Sequence, residues 1–185
     1  MVNIALVGCN GKMGKAVTSA VQSRNDCEIV FGADPFGTPA YDYPVFESLA
    51  VSDKKADVII DFSNPASLDD ILAYALEKKI PCVLCTTGYS PEQVEKIKKA
   101  SESVAVFYSG NMSLGINLLI ELSKEAAKIL GAADFDIEIV EKHHNQKIDA
   151  PSGTALMIAD GISDTLAEEP QYVYDRHSYL SLIHI

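Results

Sequence analysis

Residues 141–154 read Glu-Lys-His-His-Asn-Gln-Lys-Ile-Asp-Ala-Pro-Ser-Gly-Thr. Two histidines and two lysines are gathered there, and the run ends in Pro-Ser-Gly-Thr at the start of a helical pattern. Histidine exchanges protons near neutral pH, and lysine donates them from a compact cation. Ser152 or Thr154 can cap the helix, and a helix N-terminus favours anions. Cationic side chains facing an anion-ready helix end point to a site for a carboxylate substrate. The plain alternative is a solvated charged loop before a capped helix. Zinc binding fits poorly. Adjacent histidines such as His143 and His144 diverge on extended backbone, and no nearby cysteine completes a ligand set.

A second set of residues opens the chain. Gly8-Cys9-Asn10-Gly11-Lys12-Met13-Gly14 follows a short apolar run and leads into a helical pattern. Glycines there permit a tight turn and close approach to a pyrophosphate, and the helix end offers unpaired N–H groups. The spacing is GxxGxxG rather than GxGxxG, so the loop alone is a weak signal. Asp34 closes the next strand, where a carboxylate meets the adenosine ribose hydroxyls. Pro35, Phe36 and Gly37 follow it, with no arginine to clamp a 2′-phosphate. That favours NADH over NADPH, although Lys12 is placed to help NADPH. Thr86-Thr87-Gly88 and Gly110-Asn111-Met112 end later strands on the same sheet edge. Taken singly, each is ordinary turn chemistry.

The elements that must carry these residues alternate. Strands are expected at Val2–Val7, Glu28–Ala33, Ala56–Phe62, Pro81–Cys85 and Val104–Tyr108. Helices are expected at Met13–Ser23, Pro65–Lys78 and Pro91–Ser101, with a loop at Thr38–Pro44. Near-continuous apolar strands in a βαβ rhythm predict a Rossmann-type α/β fold, a doubly wound parallel sheet covered on both faces. Past Ser113 the pattern changes to a long helix over Leu114–Leu130. A half-buried strand is expected over Phe135–Glu141 and a helix over about Thr154–Glu168. These belong to a second, α+β domain, incomplete here. The expected division is 1–112 for dinucleotide binding and 113–178 for substrate binding and oligomerisation. Residues 179–185 are expected to be a non-native tail, because a lone new strand there has nothing to pair with.

Bulk properties exclude several classes. With 15 Lys and Arg against 26 Asp and Glu, the net charge is −11. Neither nucleic acid nor an anionic membrane is the expected partner. No apolar run reaches membrane-span length, and the N-terminus lacks the parts of a signal peptide, so a cytoplasmic protein is expected. Cys82 and Cys85 form a CxxC inside a strand-like run. Residues three apart on a strand point to opposite faces, so small buried thiols are expected rather than a metal pair.

Glu-x-His-His-x-x-Lys-x-Asp-Ala-Pro-Ser-Gly-Thr-Ala resembles the signature of the 4-hydroxy-tetrahydrodipicolinate reductase family. The loop Gly-x-x-Gly-x-Met-Gly resembles that family's cofactor loop, and the match runs from residue 2 to about 178. The resemblance implies an NADH- or NADPH-dependent reductase of a cyclic dicarboxylate in lysine and diaminopimelate biosynthesis, a homotetramer when full-length. It implies His143 as the acid/base residue, Lys147 as proton donor and His144 in contact with substrate. Gly153 and Thr154 would hold a substrate carboxylate. Gly8, Cys9, Asn10, Gly11, Lys12, Met13, Asp34, Cys85, Thr86, Thr87, Ser109, Gly110, Asn111 and Met112 would contact the cofactor. Cys85 stands where many family members have glycine, which is tolerable if only its backbone faces the cofactor. Rival readings are another Rossmann oxidoreductase, a dinucleotide-binding sensor and an inactive cofactor-binding fragment.

Overall fold

The computed structural model describes residues 1–36, 41–133, 135–145, 150–168 and 170–174. The chain divides into two compact units, residues 1–110 and 111–185.

The first unit runs β1 (Val2–Val7), α1 (Lys12–Gln22), β2 (Cys27–Ala33), β3 (Val45–Phe46), β4 (Val58–Asp61), α2 (Leu68–Lys78), β5 (Cys82–Leu84), α3 (Pro91–Ser101) and β6 (Val106–Tyr108). The six strands form one sheet in the order β3-β2-β1-β4-β5-β6, and every pairing is parallel. β1 shows why its sequence is apolar from Ile4 to Val7. Ala5 and Val7 pack into a core with Leu68, Ile71 and Leu72 of α2 and Ile97 of α3. Ile4 and Leu6 point the other way and pack against Val17 and Val21 of α1. Alternate side chains thus bury on opposite faces. Each fully buried Leu or Ile contributes about 1.5–3 kcal/mol.

The strand order reverses direction between β1 and β4. In an open parallel sheet, that switch point leaves a crevice beyond the carboxyl ends of the strands, where ligands bind. The loops after β1 and β4 flank that crevice.

Two sequence expectations shift. The loop before Pro44 is followed by β3, whose two residues are too few to show an alternating pattern. The helix expected from Pro65 begins as a 3₁₀ turn over Pro65–Ser67, with the Asn64 side chain accepting from the Ala66 N–H (3.0 Å), and becomes α-helical at Leu68. It stops at Lys79, which takes the left-handed conformation (φ 55°) while the Ile80 N–H donates to the Ala75 carbonyl.

Cys82 and Cys85 are buried, as expected, and so is Cys9. Burial raises all three thiols, with neighbouring aspartate charge adding to it, to about 11. They are therefore protonated at neutral pH and poor nucleophiles.

The second unit contains α4 (Leu114–Gly131) and α5 (Gly153–Ser163). The helices approach closely where α5 has no side chain: a Cβ on Gly161 would lie 2.9 Å from Ile120 Cγ2. α5 is shorter than the expected helix, ending at the polar run Ser163-Asp164-Thr165, where the Thr165 hydroxyl donates to the Ile162 carbonyl (2.7 Å). The half-buried strand expected over Phe135–Glu141 is not formed. Those residues pair with no strand, and Phe135, Ile137, Ile139 and Val140 are exposed. Alternation marks a face suited to burial, but a strand also needs a neighbour for its N–H and C=O groups. Among the described residues of this unit there is no strand, so the α+β character expected for it is not observed there. Residues 179–185 lie outside the described residues. No helix among the described residues is long and apolar enough to cross a membrane.

Candidate cofactor and substrate sites

In the first unit the turn after β1 depends on its glycines. Gly8 has φ +74°, and a Cβ there would lie 2.6 Å from the Phe62 carbonyl oxygen. A Cβ on Gly14 would lie 2.3 Å from the Gly8 carbonyl oxygen, so helix α1 sits directly against the turn. Gly11 is the N-cap of α1 and makes no side-chain capping bond. Ser90, Ser113 and Ser152 do cap α3, α4 and α5 through their hydroxyls. The first N–H groups of α1 therefore have neither an intrahelical nor a side-chain acceptor, which suits a pyrophosphate.

Asp34 reaches this loop. Its carboxylate accepts from the Asn10 N–H (3.0 Å) and the Phe36 N–H (2.9 Å). The Asn10 side-chain amide donates to the Phe36 carbonyl. The sequence-predicted ribose ligand and the glycine loop are thus one connected structure. Behind it the Tyr41 hydroxyl donates to the Cys9 carbonyl (2.8 Å). Cys9 itself is buried, so only its backbone faces the loop's ligand side, whereas Lys12 and Met13 are exposed.

Across the switch point, the β5 turn carries Cys85, Thr86 and Thr87. Cys85 turns its side chain into the core, with its N–H donating to the Asp61 carbonyl (2.9 Å), which leaves only backbone for a ligand. Thr86 Oγ1 is buried with no partner in hydrogen-bonding geometry among the described residues. Gly88 has φ +81°. A Cβ on Gly110 would be 3.5 Å from Thr87 Cγ2, so the ends of β5 and β6 are neighbours. The Ser109 N–H donates to the Leu84 carbonyl (3.1 Å).

Two residues here escaped the sequence. Asp61 is fully buried at the end of β4 and accepts from the Tyr89 hydroxyl (3.1 Å). Burial, and then the Asp61 charge, push the Tyr89 hydroxyl well above its usual range. The sequence places Asp61 at a strand's carboxyl end on the ligand-binding edge, but no spacing rule links it to Tyr89.

The second unit organises the other candidates. Ser152 caps α5 by accepting from the Ala155 N–H (3.1 Å), and its own N–H donates to Glu141 Oε1 (2.8 Å). The other oxygen of Glu141 lies 3.4 Å from His143 Nδ1. Glu141, which sequence reasoning passed over as a site residue, so ties His143 to the start of α5. Among the described residues, nothing outside its own chain neighbours and helix backbone lies within 4 Å of a Cβ placed on Gly153. Thr154 Oγ1 accepts from the Asn111 side chain (2.9 Å), so a predicted substrate contact and a predicted cofactor contact are joined directly. His144 and Met112 are exposed. Lys147 lies outside the described residues.

A parallel sheet in this order, with a glycine turn after its first strand and an open helix end behind it, is the architecture of a Rossmann-type dinucleotide-binding fold. Comparison with known proteins narrows the class. Residues 2–112 match the family model described as dihydrodipicolinate reductase, N-terminus, and residues 115–180 match dihydrodipicolinate reductase, C-terminus. The chain is 51% identical over 179 residues to the 4-hydroxy-tetrahydrodipicolinate reductase of Clostridium tetani, covering 97% of this chain and 70% of that protein. It is 49% identical over 178 residues to that of Caldanaerobacter subterraneus, covering 96% and 70%. The solved dipicolinate-bound dihydrodipicolinate reductase from Paenisporosarcina sp. TG-14 superposes with a TM-score of 0.71 at 29% identity, covering 97% of this chain and 72% of that one. The chain belongs to the dihydrodipicolinate reductase family, whose members are NAD(P)H-dependent oxidoreductases of lysine and diaminopimelate biosynthesis.

Proposed function

We propose that this chain reduces 4-hydroxy-tetrahydrodipicolinate to tetrahydrodipicolinate with loss of water, taking NADH in preference to NADPH. What supports this is the presence in one chain of the open α1 terminus behind Gly8 and the Glu141–His143–Ser152 linkage at α5. Residues 1–112 serve as the dinucleotide-binding domain, and 113–178 as the part of the substrate-binding and oligomerisation domain carried here. The assembled enzyme is a cytoplasmic homotetramer.

A bound nicotinamide would supply the hydride that adds at ring C4 after the 4-hydroxyl is lost as water. The chain's residues do the rest. Cations around the two carboxylates bind the substrate and offset the charge that develops as electron density moves through the ring. Lys147 delivers the proton that balances the hydride, and His143 exchanges protons beside it. His144 contacts the substrate, while Gly153 and Thr154 present the α5 terminus to a carboxylate. On the cofactor side, the N–H groups of Lys12 and Met13 take the pyrophosphate. Thr86, Thr87 and residues 109–112 line the nicotinamide.

The test is NADH consumption by the purified chain, with substrate made in the cuvette from pyruvate and aspartate semialdehyde by the condensing enzyme. Consumption is expected only when both precursors and that enzyme are present. If NADH binds but is never consumed, the 185-residue chain is a cofactor-binding unit and not a reductase.

The NADH preference rests on Asp34. A carboxylate there can accept from the ribose hydroxyls and repels a 2′-phosphate. Asp34→Ser is expected to weaken NADH roughly ten-fold while improving NADPH, as read by the Kd for each. An unchanged NADH-to-NADPH ratio removes Asp34 from that role.

A further inference from the structure

Asp61 carries more than a strand end needs. Its Oδ1 accepts from both the N–H (2.9 Å) and the hydroxyl (2.5 Å) of Ser63. Its Oδ2 accepts from the Tyr89 hydroxyl (3.1 Å), and its backbone carbonyl from the Cys85 N–H (2.9 Å). A wholly buried carboxylate is costly unless it is satisfied in this way.

Its partners come from the loop after β4 and the turn after β5. Ser63 and Phe62 supply the backbone that Gly8 approaches: a Cβ on Gly8 would lie 2.6 Å from the Phe62 carbonyl and 2.9 Å from Ser63 Cα. Tyr89 follows Gly88 directly and so governs the turn that presents Thr86 and Thr87. An outer tie runs in parallel, from Gln93 Nε2 to the Pro65 carbonyl (2.7 Å). Asp61 is the inner tie. It sits one strand from β1 on the side away from β2 and Asp34. A dinucleotide laid over the switch point has its adenosine toward β2 and its nicotinamide toward β5.

We infer that Asp61 and Tyr89 are a positioning pair for the nicotinamide end of the cofactor, acting by fixing the Thr86–Gly88 turn against the β4 loop. This rests on the cofactor reading proposed above. Neither residue is a catalytic group. Tyr89 acts through Asp61, and Asp61 acts through the two loops.

The test compares NADH with ADP-ribose, which keeps the adenosine and pyrophosphate but lacks the nicotinamide, by calorimetric titration of the full chain. Tyr89→Phe removes one hydroxyl and leaves the ring against Tyr108 (centroids 5.5 Å apart). It is expected to raise the NADH Kd roughly ten-fold, with ADP-ribose held within about two-fold. Asp61→Asn is expected to weaken NADH at least as much, and adding Tyr89→Phe to it should cause no further loss. Equal losses for both ligands in Tyr89→Phe, no loss at all, or full additivity in the double variant overturns the inference. If Asp61→Asn does not fold, the two ligands on Tyr89→Phe decide alone. Failure of the unaltered chain to bind NADH overturns the cofactor reading, and the inference falls with it. Normal NADH binding by both the unaltered chain and Tyr89→Phe overturns the inference only.

Discussion

Alanine at His143 or at Lys147 is expected to lower kcat by about 10²- to 10⁴-fold while the Kd for NADH stays within about two-fold. The two halves of this expectation come from different parts of the chain. The glycine turn and Asp34 lie in residues 1–110, whereas His143 and Lys147 lie in 111–185. Removing a proton donor therefore leaves the pyrophosphate loop intact. For His143 the structure adds a reason for a large effect. Glu141 lies 3.4 Å from Nδ1, so Nε2 is the nitrogen left for proton exchange. Glu141 also accepts from the Ser152 N–H, which relates the imidazole to the start of α5. An alanine at His143 removes the imidazole proposed for proton exchange, which lies beside the same carboxylate that accepts from the Ser152 N–H at the start of α5. The measurement is steady-state kinetics alongside NADH titration. Near-normal turnover in both variants removes the assigned roles, and loss of NADH binding in either would mean that the residue serves the cofactor instead.

What the sequence revealed, and what it hid, follows from how far apart the interacting residues are. β1 was readable because Ile4–Val7 are each buried on one face or the other, which leaves a continuous apolar run. Local capping was readable as a pair of choices. Spacing allowed either Ser152 or Thr154 at the start of α5, and the structure selects Ser152. Thr154 is otherwise engaged, since its hydroxyl accepts from Asn111, 43 positions away. The Asp61–Tyr89 contact spans 28 positions and two elements. A strand-end aspartate reads as a solvated turn residue until the fold shows that no solvent reaches it. Glu141 was in plain sight within the signature, yet its bond to Ser152 spans 11 positions that no helical or strand period connects. The expected strand over Phe135–Glu141 failed for the converse reason. Its alternation was local and clear, but pairing is a property of two segments, and only one was being read.

Gly14→Ala is expected to abolish measurable NADH binding and to lower stability by at least ~1–3 kcal/mol. The added methyl has no room. It would lie 2.3 Å from the Gly8 carbonyl oxygen, 2.5 Å from Cys9 Cα and 2.6 Å from the Cys9 carbonyl carbon. All three are backbone atoms, so no rotamer change relieves the contact. Either α1 moves away from the turn or the turn opens. Both displace the N–H groups of Lys12 and Met13 from the place proposed for a pyrophosphate, beside Gly8 at φ +74° against Phe62. Gly115→Ala supplies the contrast. Gly115 lies in the first turn of α4, and the nearest atom to a Cβ there is Ser113 Oγ at 3.7 Å, an ordinary contact. Alanine is the better helix former by up to ~1 kcal/mol, so that variant should be as stable as the unaltered chain or slightly more so, with NADH binding unchanged. Thermal unfolding with and without NADH separates the two. Gly14→Ala should unfold at a lower temperature and gain nothing from added NADH, whereas Gly115→Ala should keep the full ligand-induced rise. A Gly14→Ala chain that still gains that rise would mean that the turn and α1 tolerate separation, and that the pyrophosphate is held somewhere other than the open end of α1.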